Sequence, residues 1–190
     1  MQPGIPDDDD ALMGAAAGGD AAAFRLLVDR WSPRVQAFAA RALGRRADGE
    51  DLAQETFVRV HRAAPRYRAE GRFAAWLFRI AGNLVRQELR RRGLRAWLQG
   101  GGADDEAVLE SLPAPPRFDP DGPLRDAETR AALARALARL PVRQRLAVLL
   151  RHFEALPMRD VAAALGTSEH AAESLVARGL AALRARPPGR

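Results

Sequence analysis

The chain has 190 residues, is 47% hydrophobic, carries a net charge of +6 and has no cysteine. That apolar content suffices for one or two small cores, and the lack of cysteine excludes disulfides, thiolate metal sites and thiol catalysis. No apolar run reaches the length of a membrane span, and no charged-then-apolar leader precedes a cleavage site, so no membrane insertion and a cytoplasmic location are expected.

Charge is unevenly placed. Residues 1–19 carry −4, residues 20–99 carry +9, residues 100–126 carry −5 and residues 127–190 carry +6. Every basic residue is arginine, a fixed cation whose planar fork suits phosphates and base edges. Two basic blocks around an acidic spacer fit two modules that both touch a polyanion. They fit ordinary solvated helix faces equally well.

In chain order, residues 1–19 are acidic and then Ala/Gly-rich, and read as a loose tail. Asp20 is placed to cap a helix running to about Leu43, with Phe24, Leu27, Val28 and Trp31 at helical spacing and Pro33 as a site of kinking or splitting. Asp48 is placed to cap a second helix, whose buried stripe is Leu52, Thr56 and Val60 with Ala53 and Phe57 beside them. Pro65 to Gly71 is a connector. Arg72 to Arg92 forms a third helix with Phe73, Trp76, Leu77, Ile80 and Leu84 on one face. Residues 99–126, rich in glycine and proline, read as a flexible linker. A second domain spans 127–186, with residues 187–190 as a tail. In it Leu133, Leu137 and Leu140 mark one helix and Pro141 opens the next. Pro157 precedes a short helix that Gly166 ends, and Thr167 or Ser168 caps a last helix running to about Arg184. No segment alternates with the period of a half-buried strand. The expected fold is all-α: two small helical domains, 20–98 and 127–186, joined by the linker.

Three stretches carry chemistry. On the second helix Asp51, Gln54, Glu55, Arg59 and Arg62 make a mixed-charge outer face, suited to a charged helical partner or to plain solvent. On the third, Arg79, Asn83, Arg86 and Arg90 follow one another at helical spacing, with Gln87 alongside. Asn, Gln and Arg have bidentate geometry for bases, and Arg also holds phosphate. Tyr67 in the preceding turn suits stacking on an unpaired base or covering the core. The final pair has helix-turn-helix spacing, with Ala162 where the helices would touch, Gly166 permitting the tight turn, and Ala172, Val176, Gly179 and Leu183 turned inward. Its polar candidates are Ser168, Glu169, His170, Glu173, Ser174 and Arg178, a set poor in positive charge. His61, His152 and His170 lack ligand spacing, and no phosphate-cradling glycine loop or nucleophile–base arrangement is present. No metal, no cofactor and no enzymatic activity are expected.

The runs DLAQETFVRVHRA and RFAAWLFRIAGNLVRQELRRR resemble the σ2 domain of extracytoplasmic-function (ECF) sigma factors, in the sigma-70 family. LARLPVRQRLAVLLRHFEALPMRDVAAALGTSEHAAESLVARGLAALR resembles their σ4 domain. The resemblance implies a bacterial transcription initiation factor that joins core RNA polymerase and directs it to promoters. It assigns Asp51, Gln54, Glu55, Phe57 and Arg59 to the clamp helices of the β′ subunit, with further contacts to the β subunit. Arg66, Tyr67, Arg68 and Arg72 match the loop that receives a flipped base of the minus-ten element. Arg79, Asn83, Arg86, Gln87 and Arg90 match positions that meet this element as it melts. Ser168, Glu169, His170, Glu173, Ser174 and Arg178 match the helix that reads the minus-thirty-five element. Many members carry basic residues where this chain has Glu173 and Leu175, and an arginine at the place of Gly82. An anti-sigma factor is an implied partner. Two other readings stay open: a sigma-like protein that sequesters an anti-sigma regulator, and a stand-alone helix-turn-helix repressor.

Overall fold

The computed structural model describes residues 8–98 and 127–185. Every regular element among them is helical, and they fall into two units. The first comprises α1 (Asp9–Ala17), α2 (Ala21–Leu43), α3 (Arg46–Ala63) and α4 (Phe73–Leu98), with a short 3₁₀ turn at Ala64–Arg66. The second comprises α5 (Ala127–Ala138), α6 (Val142–Val148), a π-turn at Leu149–Phe153, α7 (Met158–Leu165) and α8 (Glu169–Arg184). The sequence expectation of a linker falls on residues outside those described.

The expected loose tail does not hold for residues 9–17, which form α1. A helix of this length is marginal alone. It persists because Asp8 accepts from the Ala11 N–H and because Leu12 and Met13 are fully buried against the first core. Asp20 caps α2 as expected, accepting from the Ala22 and Ala23 N–H groups at 2.8 and 3.1 Å. The expected break at Pro33 is absent. Pro33 and Asp29, whose carbonyl loses its usual partner, both lie on the exposed side of α2, so that carbonyl is not left in the core.

α3 starts two residues before the expected cap. Asp48 sits in its first turn and pairs with Arg92 at 2.9 Å. The anticipated stripe is buried, and the Thr56 hydroxyl donates to the Leu52 carbonyl at 2.8 Å. α2 and α3 cross closely at Gly49, where a Cβ would lie 2.6 Å from the Gln36 carbonyl oxygen. Trp31, Phe38, Phe73 and Phe78 fill the centre in edge-to-face pairs with centroids 5.1 to 6.0 Å apart.

In the second unit Pro141 stands at the N-cap of α6, one residue ahead of the expected first turn. The run through Leu149 and Leu150 does not stay α-helical. It widens into the π-turn, which ends at Glu154, and Ala155 follows with a positive φ of 53°. Ser168, not Thr167, caps α8 by accepting from the Ala171 N–H. Ala172, Val176, Gly179 and Leu183 are buried as anticipated. A Cβ on Gly179 would stand 2.7 Å from Val148, so this glycine lets α8 press onto α6.

The two units pack on each other. Leu146 of α6 lies against Gly82 of α4. The buried Arg145 guanidinium donates to the carbonyls of Ala42, Ala138 and Leu140. Arg34 of α2 donates to the carboxylate and backbone carbonyl of Glu154 at 3.1 and 3.0 Å. Arg72 pairs with Asp160 at 3.2 Å.

Candidate nucleic-acid and partner interface

Burial of the Phe73, Leu77, Ala81, Leu84 and Val85 face fixes the rotation of α4. Arg79, Asn83, Gln87 and Arg90 are thereby left exposed and Arg86 half-buried. Arg79, Arg86 and Arg90 pair with no carboxylate among the described residues. Arg86 donates to the Asn83 side-chain oxygen, and the Arg90 Nε donates to the Arg86 carbonyl. Burial, then repulsion from Arg143, Arg90 and Arg79, holds the Arg86 guanidinium below its ordinary value. Such a cluster favours a polyanion, which relieves the repulsion. Arg143 comes from α6, and sequence reasoning missed it: nothing local marks an arginine that only packing brings to α4.

Arg91 and Arg92, at the far end of the same run, are differently used. Arg91 pairs with Glu88 at 2.7 Å, and Arg92 with both Glu88 and Asp48 at 2.9 Å. Burial opposes the Arg92 charge, but its bonds to Glu88 and Asp48 outweigh that and hold it above its ordinary value. Arg92 thereby braces α4 against α3, while the Arg91 pair stays within α4.

The connector ahead of α4 leaves Arg66 and Arg68 exposed, while Arg72 is tied to Asp160. The Tyr67 ring is half-buried, 4.7 Å from Trp76 and 6.0 Å from Phe73. Its hydroxyl donates to Asp10 at 2.5 Å. Burial, then the Asp10 bond and the nearby charges of Asp10, Asp8 and Asp9, push the phenol well above its ordinary value. Of the two uses open to Tyr67 in the sequence, covering the core is the one this packing displays.

On α3, Asp51 and Gln54 are exposed, and Glu55 and Arg59 form a pair at 2.8 Å. Phe57 departs from the expected surface set: it is 7% exposed and belongs to the core. Its edge still reaches the floor of a groove of about 590 Å³ between α2 and α3, with Phe24, Val28 and Val58. A second groove of about 310 Å³ runs between α3 and α4 past Asp51, Glu55, Arg59 and Gln87. The mixed-charge face is thus flanked by a groove on each side.

On α8, Glu169, His170, Glu173 and Arg178 are exposed and Ser174 is half-buried. Ser168 is engaged as the cap, and Arg178 folds back so that its Nε donates to the Ser174 carbonyl at 3.1 Å. Among the described residues no three His, Asp or Glu side chains are grouped to hold a metal ion, and no helix is long and apolar enough to cross a membrane.

Two family profiles match: Sigma-70 region 2 over residues 27–95 and Sigma-70, region 4 over residues 130–183. The chain is 38% identical to the RNA polymerase sigma factor NccH of Alcaligenes xylosoxydans xylosoxydans, with 95% of each chain covered. It is 36% identical to the RNA polymerase sigma factor CarQ of Myxococcus xanthus, covering 85% of this chain and 87% of CarQ. Among solved structures it is similar to CnrH, determined in complex with the cytosolic domain of CnrY. That match has 29% identity, covers 94% of this chain and 96% of CnrH, and has a TM-score of 0.68. It is also similar to the sigma factor RpoE in a complex with the anti-sigma factor NepR from Bartonella quintana. There the identity is 25%, the coverage 85% of this chain and 94% of RpoE, and the TM-score 0.64.

Proposed function

This chain belongs to the sigma-70 family, in its extracytoplasmic-function group, and on that premise we propose that it joins core RNA polymerase and directs it to a set of promoters. The observation that carries the reading is the α4 stripe. Arg79, Asn83 and Arg90 stand exposed on one side with Arg86 half-buried among them, the three arginines without carboxylate partners among the described residues, while the other side of α4 builds the core. A rigid helix presenting base-reading and phosphate-holding groups together suits capture of a melting minus-ten strand. Arg66, Arg68 and the loop to Arg72 lie beside it to take a flipped base. Flipping costs a few kcal/mol, which stacking and hydrogen bonds in a pocket offset.

Asp51, Gln54, Glu55 and Arg59 are assigned to the β′ clamp helices, with the flanking grooves receiving apolar side chains. α8 is assigned to the minus-thirty-five element through His170, Glu173, Ser174 and Arg178, with Ser168 and Glu169 at its start. Because this helix is poor in positive charge, its own affinity for DNA is low. Joining both units on one polymerase makes the second contact effectively intramolecular. The domain limits proposed are 20–98 and 127–186, with α1 added to the first.

An anti-sigma factor is the partner that the comparisons favour most directly, since RpoE is described with one and CnrH with the cytosolic domain of CnrY. That likeness also suits the second reading, a sigma-like protein whose task is to occupy an anti-sigma factor. The two readings separate in one experiment. Purified protein is added to core polymerase and assayed for binding and for transcription from a promoter library. Specific initiation is expected. Core binding without any initiation would favour the sequestering role, and no core binding would sink the sigma-factor reading.

A further inference from the structure

Asp10 is a buried carboxylate on α1, 7% exposed, far in sequence from the loop it serves. One of its oxygens accepts from the Tyr67 hydroxyl at 2.5 Å and from the Gly71 N–H at 3.1 Å. The other accepts from the Phe73 N–H at 3.3 Å. These three donors stand at the start, the turn and the end of the loop between α3 and α4. Gly71 has a φ of 67°, which glycine adopts without strain, and its N–H is thereby aimed at the carboxylate. Phe73 is the first residue of α4, so Asp10 satisfies one of the N–H groups that a helix start leaves open, and its charge complements the helix dipole. Leu12 and Met13, fully buried on the same short helix, hold Asp10 in place. Between the pinned points, Arg68, Ala69 and Glu70 stay exposed.

The result is a loop closed on one carboxylate, with its tip free. From this geometry we propose that Asp10 is a positioning residue for promoter opening: it fixes the shape of the loop that receives the flipped base, without touching DNA. The inference rests on the reading of that loop given above. A base leaving the stack gains most from a pocket already formed, since a loose loop spends part of the contact free energy on being ordered. Tyr67 then acts as the hinge pin of the pocket wall. Its ring packs on Trp76 and its hydroxyl is held by Asp10, so the ring does not swing out to meet the base.

The test uses the full chain assembled with core polymerase and single-stranded oligonucleotides carrying the minus-ten strand of a cognate promoter. Abasic sites are placed at each position in turn. Wild type is expected to lose roughly tenfold in affinity at one position, where the flipped base is removed. Asp10→Ala is expected to bind the intact strand about as weakly as wild type binds that abasic strand, and to show little further loss there. Its core binding should be unchanged. Asp10→Asn, nearly isosteric, keeps one acceptor oxygen and is expected to give an intermediate penalty. It carries the test should Asp10→Ala fail to fold. A full abasic penalty in both variants overturns the role of Asp10. No penalty at any position in wild type removes the base-receiving loop itself, and this inference with it. A purely structural role would weaken binding to all strands alike and leave the abasic penalty intact, which also overturns the proposal.

Discussion

Arg72 donates its Nε–H to Asp160 across 3.2 Å, which ties the loop ahead of α4 to α7 in the second unit. In the proposed function α4 serves the minus-ten element and α8, next to α7, serves the minus-thirty-five element. Those sites are about 25 base pairs apart, roughly 85 Å along a duplex at ~3.4 Å per step. With α4 packed on α7 and α8 beside α7, the two helices cannot reach both. Residues 99–126 can extend to roughly 95 Å at ~3.4 Å each, enough to let the units part. On the proposed function, the packed arrangement is a closed one that promoter binding has to open.

Asp160→Asn removes the charge from this tie while keeping its shape and the turn it sits in. The pair is partly exposed, with the Arg72 side chain at 42%, so its worth is at most about 1 kcal/mol. A shift of up to about fivefold toward separated units is expected. Energy transfer between dyes on exposed Arg62 and Arg184 measures it. An unchanged transfer efficiency would show that Arg34, Arg145 and Leu146 hold the closed form without help from Asp160.

How much of this was legible in the sequence follows from where each signal lies. α2, α3, α4 and α8 are long and periodic, so their buried stripes show in the spacing of Leu52, Thr56 and Val60 or of Ala172, Val176 and Gly179. The α4 arginine stripe shows for the same reason. α1 does not, because its apolar signal is only Leu12 and Met13 within an Ala/Gly-rich run, and tertiary packing supplies its stability. Asp48 has the chemistry of a cap but is drawn inside α3, where Arg92 meets it. Phe57 matches a surface motif yet is counted by the core. Asp10, Arg143, Glu154 and Asp160 carry no local pattern. Their partners lie dozens of residues away, and one sequence holds no record of such pairings.

Glu154 offers a check on the closed form through pH. Its side chain is buried beside Arg34 and Arg41. Burial pushes its carboxyl above the ordinary value of 4.5, and the two arginines only partly oppose this. A carboxyl raised on folding binds its proton more tightly in the folded state. It therefore contributes stability that is present below the unfolded value and is lost as pH rises through the folded one. Glu154→Gln cannot ionise. The stability of wild type relative to Glu154→Gln, from urea midpoints at fixed salt, is expected to fall as pH rises from about 4.5 toward neutrality. A rise instead would mean that Arg34 holds the carboxylate charged throughout.

Gly179 sets how closely α8 approaches α6. A Cβ there would stand 2.7 Å from Val148 Cγ2 and 3.3 Å from the Gln144 carbonyl oxygen. Helix propensity alone favours alanine over glycine by about 1 kcal/mol, but forced separation of packed helices costs about 1–3 kcal/mol. Gly179→Ala is thus expected to lower the midpoint of thermal unfolding, and Gly179→Leu to lower it further. An increase with alanine would show that Val148 turns aside freely.

The α4 stripe can be divided into phosphate-holding and base-reading parts by salt and sequence dependence. Arg86 is crowded by Arg79, Arg90 and Arg143, and releasing that repulsion onto a phosphate makes its contact ionic. Arg86→Ala and Arg90→Ala are each expected to reduce the salt slope of minus-ten strand binding by about 0.7, as for one phosphate contact on a single strand. Their effect should be similar on all sequences. Asn83 is exposed and uncharged, and its amide can meet a base edge in two bonds. Asn83→Ala should leave the salt slope unchanged and cost about 1–3 kcal/mol only on strands with the preferred base. In the free protein its side-chain oxygen is held by Arg86. Base reading therefore requires that bond to be exchanged, so the losses of Asn83→Ala and Arg86→Ala are not expected to add. Additive losses in the double variant Asn83→Ala with Arg86→Ala would show instead that the two side chains act independently.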